Sequence, residues 1–154
     1  MKKYFPPNYF YPACIFALII AVIPTVVTSK LINISIENLV ANSELIALGH
    51  TTTSVNNSAV VGFEIEEILK GAVDKNVFLC NSRDNAESYD FSKLKSSYIV
   101  FASRAKDCYQ PIRGIRSVVI VTEQQALTSA IAGEPEKQDI SNFINKIRSF
   151  VKEK

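Results

Sequence analysis

Apolar residues first crowd into an unbroken run, Ala13 to Val27, and then settle into the shorter periods of a folded domain. Ile36, Leu39 and Val40 share one helix face and Ser35 before them is a good N-cap, so a short amphipathic helix is expected over Ser35 to Asn42. It leads into Glu44 to His50, apolar and without helical caps, which reads as a strand closed by a polar turn from Thr51 to Ser58. Val61, Phe63 and Ile65 then alternate with Gly62, Glu64 and Glu66, the period of a strand with one buried and one wet face, and Gly71 ends it. Asn76 to Cys80, Ser97 to Ser103 and Ile115 to Thr122 follow as further strands, with the polar segment Asn81 to Lys95 the longest connection. Glu123 to Ala132 reads as a short helical turn. After the break at Gly133 to Lys137 the period changes: Ile140, Phe143, Ile144, Ile147, Phe150 and Val151 form one stripe of an amphipathic helix over 139–152. Asp139 or Ser141 can cap its start, while Arg148, Lys152 and Lys154 lie where the helix dipole favours cations. Five strands with polar connections predict a mainly β protein, a small antiparallel sheet or barrel, since closure removes exposed strand edges.

The first apolar run has another purpose. Lys2 and Lys3 precede residues 4 to 29, which carry no charge, and this is a positive n-region followed by an apolar h-region. As a helix, the densest stretch, 13–27, would span about 22 Å, short of the ~30 Å hydrocarbon core of a bilayer. Pro24 breaks it near its end, and Val27-Thr28-Ser29 suits a signal peptidase, so residues 1–29 are expected to be a signal peptide, with cleavage leaving a single domain from Lys30 to Lys154. The alternative is an uncleaved membrane anchor extended by Tyr9-Phe10-Tyr11 at the interface. Either way the domain is exported, to the periplasm or beyond. Cys14 precedes the apolar stretch rather than following it, which argues against lipidation.

Setting that segment aside changes the arithmetic. The net charge of +2 arises at Lys2 and Lys3, because every Asp and Glu lies at or beyond Glu37, and the domain itself is neutral. Its cysteines fall to two, Cys80 and Cys108, an even number that in an oxidising compartment reads most simply as one disulfide. One His and two distant Cys do not assemble a zinc site, and no cofactor is expected.

The segments Ser43 to His50, Val61 to Gly71 and Ser97 to Phe101 resemble exported domains of the OB-fold class related to the netrin-like and tissue-inhibitor-of-metalloproteinase modules. The resemblance covers about Ser35 to Thr122, and the closing helix is similar to that of bacterial members. It implies a five-stranded OB-like antiparallel barrel with a short N-terminal helix and the C-terminal helix 139–152, and a binding role. Metalloproteinase inhibitors of that superfamily chelate the target's zinc with a Cys at the mature N-terminus. This chain has no Cys between Lys30 and Cys80, so that mechanism does not carry over.

Candidate chemistry is sparse. His50 is the only His, and its hydroxyl neighbours Thr51 to Ser54 suit a strand end and turn for backbone reasons. No Gly-x-Ser-x-Gly elbow occurs. Glu64 and Glu66 alternate with apolar residues, as the solvated face of a strand does. Arg104, Lys106, Arg113 and Arg116 cluster with Tyr109 around Cys108, but Asp107 interrupts them, and an exported neutral domain is not expected to take nucleic acid. The candidate partner surface is therefore Tyr89, Phe91, Arg104, Tyr109 and Arg113, with Tyr89 and Phe91 equally suited to plugging a barrel end. These readings predict a non-enzymatic exported binding or envelope-structural module that meets a protein or another envelope component. One alternative is an envelope hydrolase using His50 or Glu64 and Glu66; another is a membrane-anchored subunit of an envelope complex, touching the membrane only if residues 4–29 remain.

Overall fold

In the computed structural model, which describes residues 34–55, 60–80, 91 and 96–152, a closed five-stranded barrel is built from α1 (Ile36–Asn42), β1 (Leu45–Val55), β2 (Val60–Lys70), β3 (Asn76–Cys80), β4 (Ser97–Ala105) and β5 (Cys108–Pro111). A 3₁₀ turn (Gly114–Ser117), β6 (Val118–Thr122), β7 (Gln125–Leu127), β8 (Lys137–Asp139) and α2 (Ile140–Lys152) complete it. Residues 1–29, expected as a signal peptide, and Tyr89 lie outside the described residues. No helix among the described residues is long and apolar enough to cross a membrane.

The barrel closes in the order β1-β2-β3-β5-β4 and back to β1, antiparallel throughout except where Leu79 of β3 meets Tyr109 of β5 in parallel. The expected small five-stranded barrel and both helices are present, but the fifth barrel strand is β5, which the sequence reading did not find, and the strand expected over Ile115 to Thr122 lies outside the barrel. Ser35 caps α1, its side chain accepting from the Asn38 amide at 3.4 Å, and Asp139 caps α2, accepting from Ser141 and Asn142 at 2.9 and 3.1 Å.

Beyond the short strands β5 and β8, which the sequence reading did not anticipate, three elements differ from it. The polar run read as a turn from Thr51 continues β1 to Val55; threonine is β-branched and a good strand former, and Thr51 is fully buried. The strand expected from Ile115 begins at Val118, because Ser117 Oγ accepts from the Arg113 amide at 3.1 Å and donates to the Gly114 carbonyl at 2.9 Å, closing the 3₁₀ turn. The segment expected as a helical turn from Glu123 is a β-hairpin joining β6 to β7, with Glu123 and Gln124 at φ 49° and 75°.

β5 and β6 are two halves of one strand that runs along a single edge of β4. Pro111 stands opposite Ala102 and Val118 opposite Val100, so the chain makes an excursion between them while its partner advances two residues. Only the first half enters the barrel; the second carries β7 and β8 out as an extension of the sheet.

The pleat then divides the apolar residues between two cores. Leu45, Ala47, Val61, Phe63, Ile65, Leu79, Tyr98, Val100 and Ala102 fill the barrel. Residues of the opposite parity, Ile46, Ile99, Phe101 and Val119, form an outer layer with Leu39 and Val40 of α1 and Phe143, Ile144 and Ile147 of α2. That second layer explains the near-continuous apolar run in β4, which is buried on both faces. Lys70 Nζ donates to the Val40 carbonyl at 2.6 Å, and Arg148 pairs with Glu67, joining each helix to β2.

Candidate functional site

The cysteine pair lies at one end of the barrel. Cys80 ends β3 and Cys108 begins β5, with Cα atoms 5.6 Å apart, and the predicted disulfide is present. It staples β3 to β5 where the ladder supplies one bridge, Leu79 to Tyr109. Below that bridge the strands diverge, because β5 starts only at Cys108, after the Lys106-Asp107 turn with Lys106 at φ 52°. The divergence opens a cleft of about 600 Å³ lined by Ala72, Val73, Asp74, Asn76, Val77, Phe78, Arg104, Asp107, Cys108 and Tyr109.

Strand periodicity decides what each residue contributes. Val73, Val77 and Tyr109 pack against the barrel core and make an apolar floor. Arg104 continues the inward row Tyr98, Val100, Ala102 past the end of that core, so its side chain emerges exposed at the barrel mouth opposite Tyr109. Glu44 fixes it from behind, Oε2 accepting from the Arg104 backbone amide at 2.7 Å. The Arg104 guanidinium, Asp74 and Asp107 have no ion-pair partner among the described residues. Phe78 points out of β3 between the inward Val77 and Leu79, and is 51% exposed.

Of the expected partner surface, Arg104 and Tyr109 come together here, whereas Arg113 is exposed beyond Pro111 and does not line the cleft. Phe91 is corrected: it is fully buried, packed edge to face on Tyr98 with ring centroids 5.7 Å apart. Of its two sequence readings, the plug is the one the structure adopts. The sequence reading did not assign Phe78, Asn76 or Asp74 to a partner surface, and took Asp107 only as interrupting the basic cluster. Phe78 carried a usable signal, since the period of β3 places Val77 and Leu79 inward and so turns a large aromatic outward.

A second polar cluster sits on the outer barrel wall. Leu48 pairs with Glu67 and Gly49 with Ile65, so Glu66 is the extra residue of a β-bulge. Gly49 is required there, because a Cβ would stand 2.2 Å from the Glu64 carbonyl oxygen. The bulge brings Glu66 Oε1 to 3.0 Å from His50 Nδ1, while Glu64 Oε2 lies 3.7 Å from His50 Nε2 and its other oxygen pairs with Lys75 at 3.1 Å. The sequence candidates His50, Glu64 and Glu66 are thus neighbours. Each imidazole nitrogen nevertheless faces a carboxylate, leaving none to activate a hydroxyl. Ser97 is opposite His50 on β4 without a hydrogen bond to it. Because the two nitrogens point in opposite directions, the two carboxylates and the ring cannot converge on one ion, and no group of three metal-ligating side chains occurs among the described residues.

The sequence matches no protein-family model, and no curated protein is significantly similar to it.

Proposed function

We propose that this chain is a non-enzymatic exported binding module whose ligand surface is the cleft beside the Cys80–Cys108 disulfide. The observation that carries the reading is the juxtaposition there of an exposed aromatic ring, an apolar floor and charges of both signs that have no ion-pair partner among the described residues. An exposed Phe on a rigid strand is a binding anchor at low entropic cost, and the flanking charges supply orientation. Binding sites combine apolar contact with a few polar groups that orient the ligand; this cleft has both, and its surface is more polar than apolar. The disulfide supports export, since such bonds persist in oxidising compartments, and the charged and apolar regions of residues 1–29 fit a signal peptide. The resemblance to netrin-like domains is compatible with a binding role and supplies no ligand. The envelope alternatives, a hydrolase or an anchored subunit, have less support; the hydrolase rests on the His50–Glu66 contact alone.

The test is retention of defined probes by the immobilised full chain: a displayed random heptapeptide library and a glycan array. Wild type and His50→Ala are expected to retain the same probes, and the Phe78→Ser/Arg104→Ala double variant to lose at least tenfold. Retention unchanged by the double variant, or lost in His50→Ala, would overturn the assignment of the cleft.

A further inference from the structure

Backbone geometry narrows the class of ligand. The Ile65 amide donates to the Lys75 carbonyl at 2.8 Å, so Ile65 and Lys75 are a hydrogen-bonded antiparallel pair. With no slip in register, Val77 and Leu79 also direct their N–H and C=O groups at β2. Asn76, Phe78 and Cys80 must then direct theirs to the other edge. There the parallel bridge of Leu79 with Tyr109 engages the Phe78 carbonyl and the Cys80 amide. The Asn76 amide and carbonyl and the Phe78 amide face the cleft with no partner among the described residues.

β5 makes no bond to them. Its one bridge to β3 is at Tyr109, Cys108 is drawn to Cys80 with Cα atoms 5.6 Å apart, and the chain before it turns at Lys106-Asp107 without a backbone bond to β3.

We infer that this cleft takes an extended peptide as an added strand on the open edge of β3, an inference that rests on the cleft being the ligand surface. The two donors, on Asn76 and Phe78, are two residues apart on one edge, the repeat at which the carbonyls of an extended chain present themselves. A ligand carbonyl meets each, and a ligand amide meets the Asn76 carbonyl. Alternate ligand side chains then lie over the Phe78 ring. The cleft holds two carboxylates, Asp74 and Asp107, against one guanidinium, Arg104, so the fitting peptide carries an apolar side chain with a basic one beside it.

The test takes a heptapeptide recovered from the random library on the full chain and methylates its backbone nitrogens one at a time. Strand addition predicts period two: methylation at residues whose N–H faces β3 weakens binding at least tenfold, and at the residues between leaves it within twofold. Amide hydrogen exchange read in parallel should slow at Asn76 and Phe78 on binding while Val77 and Leu79 are protected with or without peptide. A flat methylation profile with unchanged exchange at Asn76 and Phe78 overturns strand addition. If that flat binder is still lost in Phe78→Ser, the cleft remains the ligand surface and only the strand is wrong; if it is not, both fail. Recovery of glycans but no peptide also refutes the strand alone.

Discussion

Gly49 and Glu134 are the residues whose surroundings demand most of them. At Gly49 the neighbouring Glu64 carbonyl occupies the space of a side chain, so Gly49→Ala must push β1 from β2 at the bulge that positions Glu66. It should cost about 3 kcal/mol in chemical denaturation, and a loss below about 0.5 kcal/mol would show that the bulge yields. Burial raises the pKa of Glu134, whose side chain is 3% exposed, but hydrogen bonds from Lys146 and Gln138, with the Lys146 charge, outweigh burial and hold it below the usual carboxylate value. A folded-state pKa that is lowered stabilises the fold above the unfolded value, about 4.5, and the benefit disappears as pH falls through the folded value. Lys146→Met should therefore cost about 1–2 kcal/mol at pH 7, with the gap to wild type narrowing below pH 4.5 in pH-dependent denaturation; a gap constant with pH would assign the loss to packing. The sequence announced the need for neither residue. Gly49 sits in an ordinary strand pattern, and Glu134 beside a Pro reads as loop, because close approach and burial are set by residues distant in the chain.

At the scale of elements, the legible parts were those with a strong period. β2 showed its alternation and β3 its bounds, while α2 showed a full apolar stripe; the caps Ser35 and Asp139 were visible as residue types in the right place. Elements without their own pattern were hidden. β5 is four residues long and contains Pro111, and it is a strand because the disulfide and the β4 edge hold it there. The β6–β7 hairpin turns on Glu123 and Gln124, both at positive φ where Asn and Gly are the favoured residues. The double substitution E123N/Q124G should stabilise the domain by about 1–2 kcal/mol in thermal denaturation; destabilisation would mean that the two side chains make contacts worth more than the backbone strain. The outer layer makes a matching prediction for α2: Phe143→Ala, fully buried between helix and sheet, should cost about 3–5 kcal/mol, and a surface-like loss would refute the second core.

For the whole molecule, a barrel closed by one bridge between β3 and β5 places unusual weight on the Cys80–Cys108 bond. It spans a sequence separation of 28 and on chain-entropy grounds should contribute about 3.5 kcal/mol, so denaturation with and without reductant should differ by roughly that amount. The same weak closure leaves the cleft open, and stability and the proposed binding thereby trace to one feature, the late start of β5. The sequence made the barrel, the disulfide and two cleft residues, Arg104 and Tyr109, legible; it did not disclose the cleft, which exists only where non-adjacent strands diverge. The most direct test of its role is amide chemical-shift mapping on the full chain titrated with the strongest probe retained from the peptide library or glycan array. We predict shifts concentrated at Ala72 to Phe78 and Arg104 to Tyr109, with His50, Glu64 and Glu66 unmoved. Shifts centred on His50, Glu64 and Glu66 would contradict the account and return the search to the outer wall of the barrel.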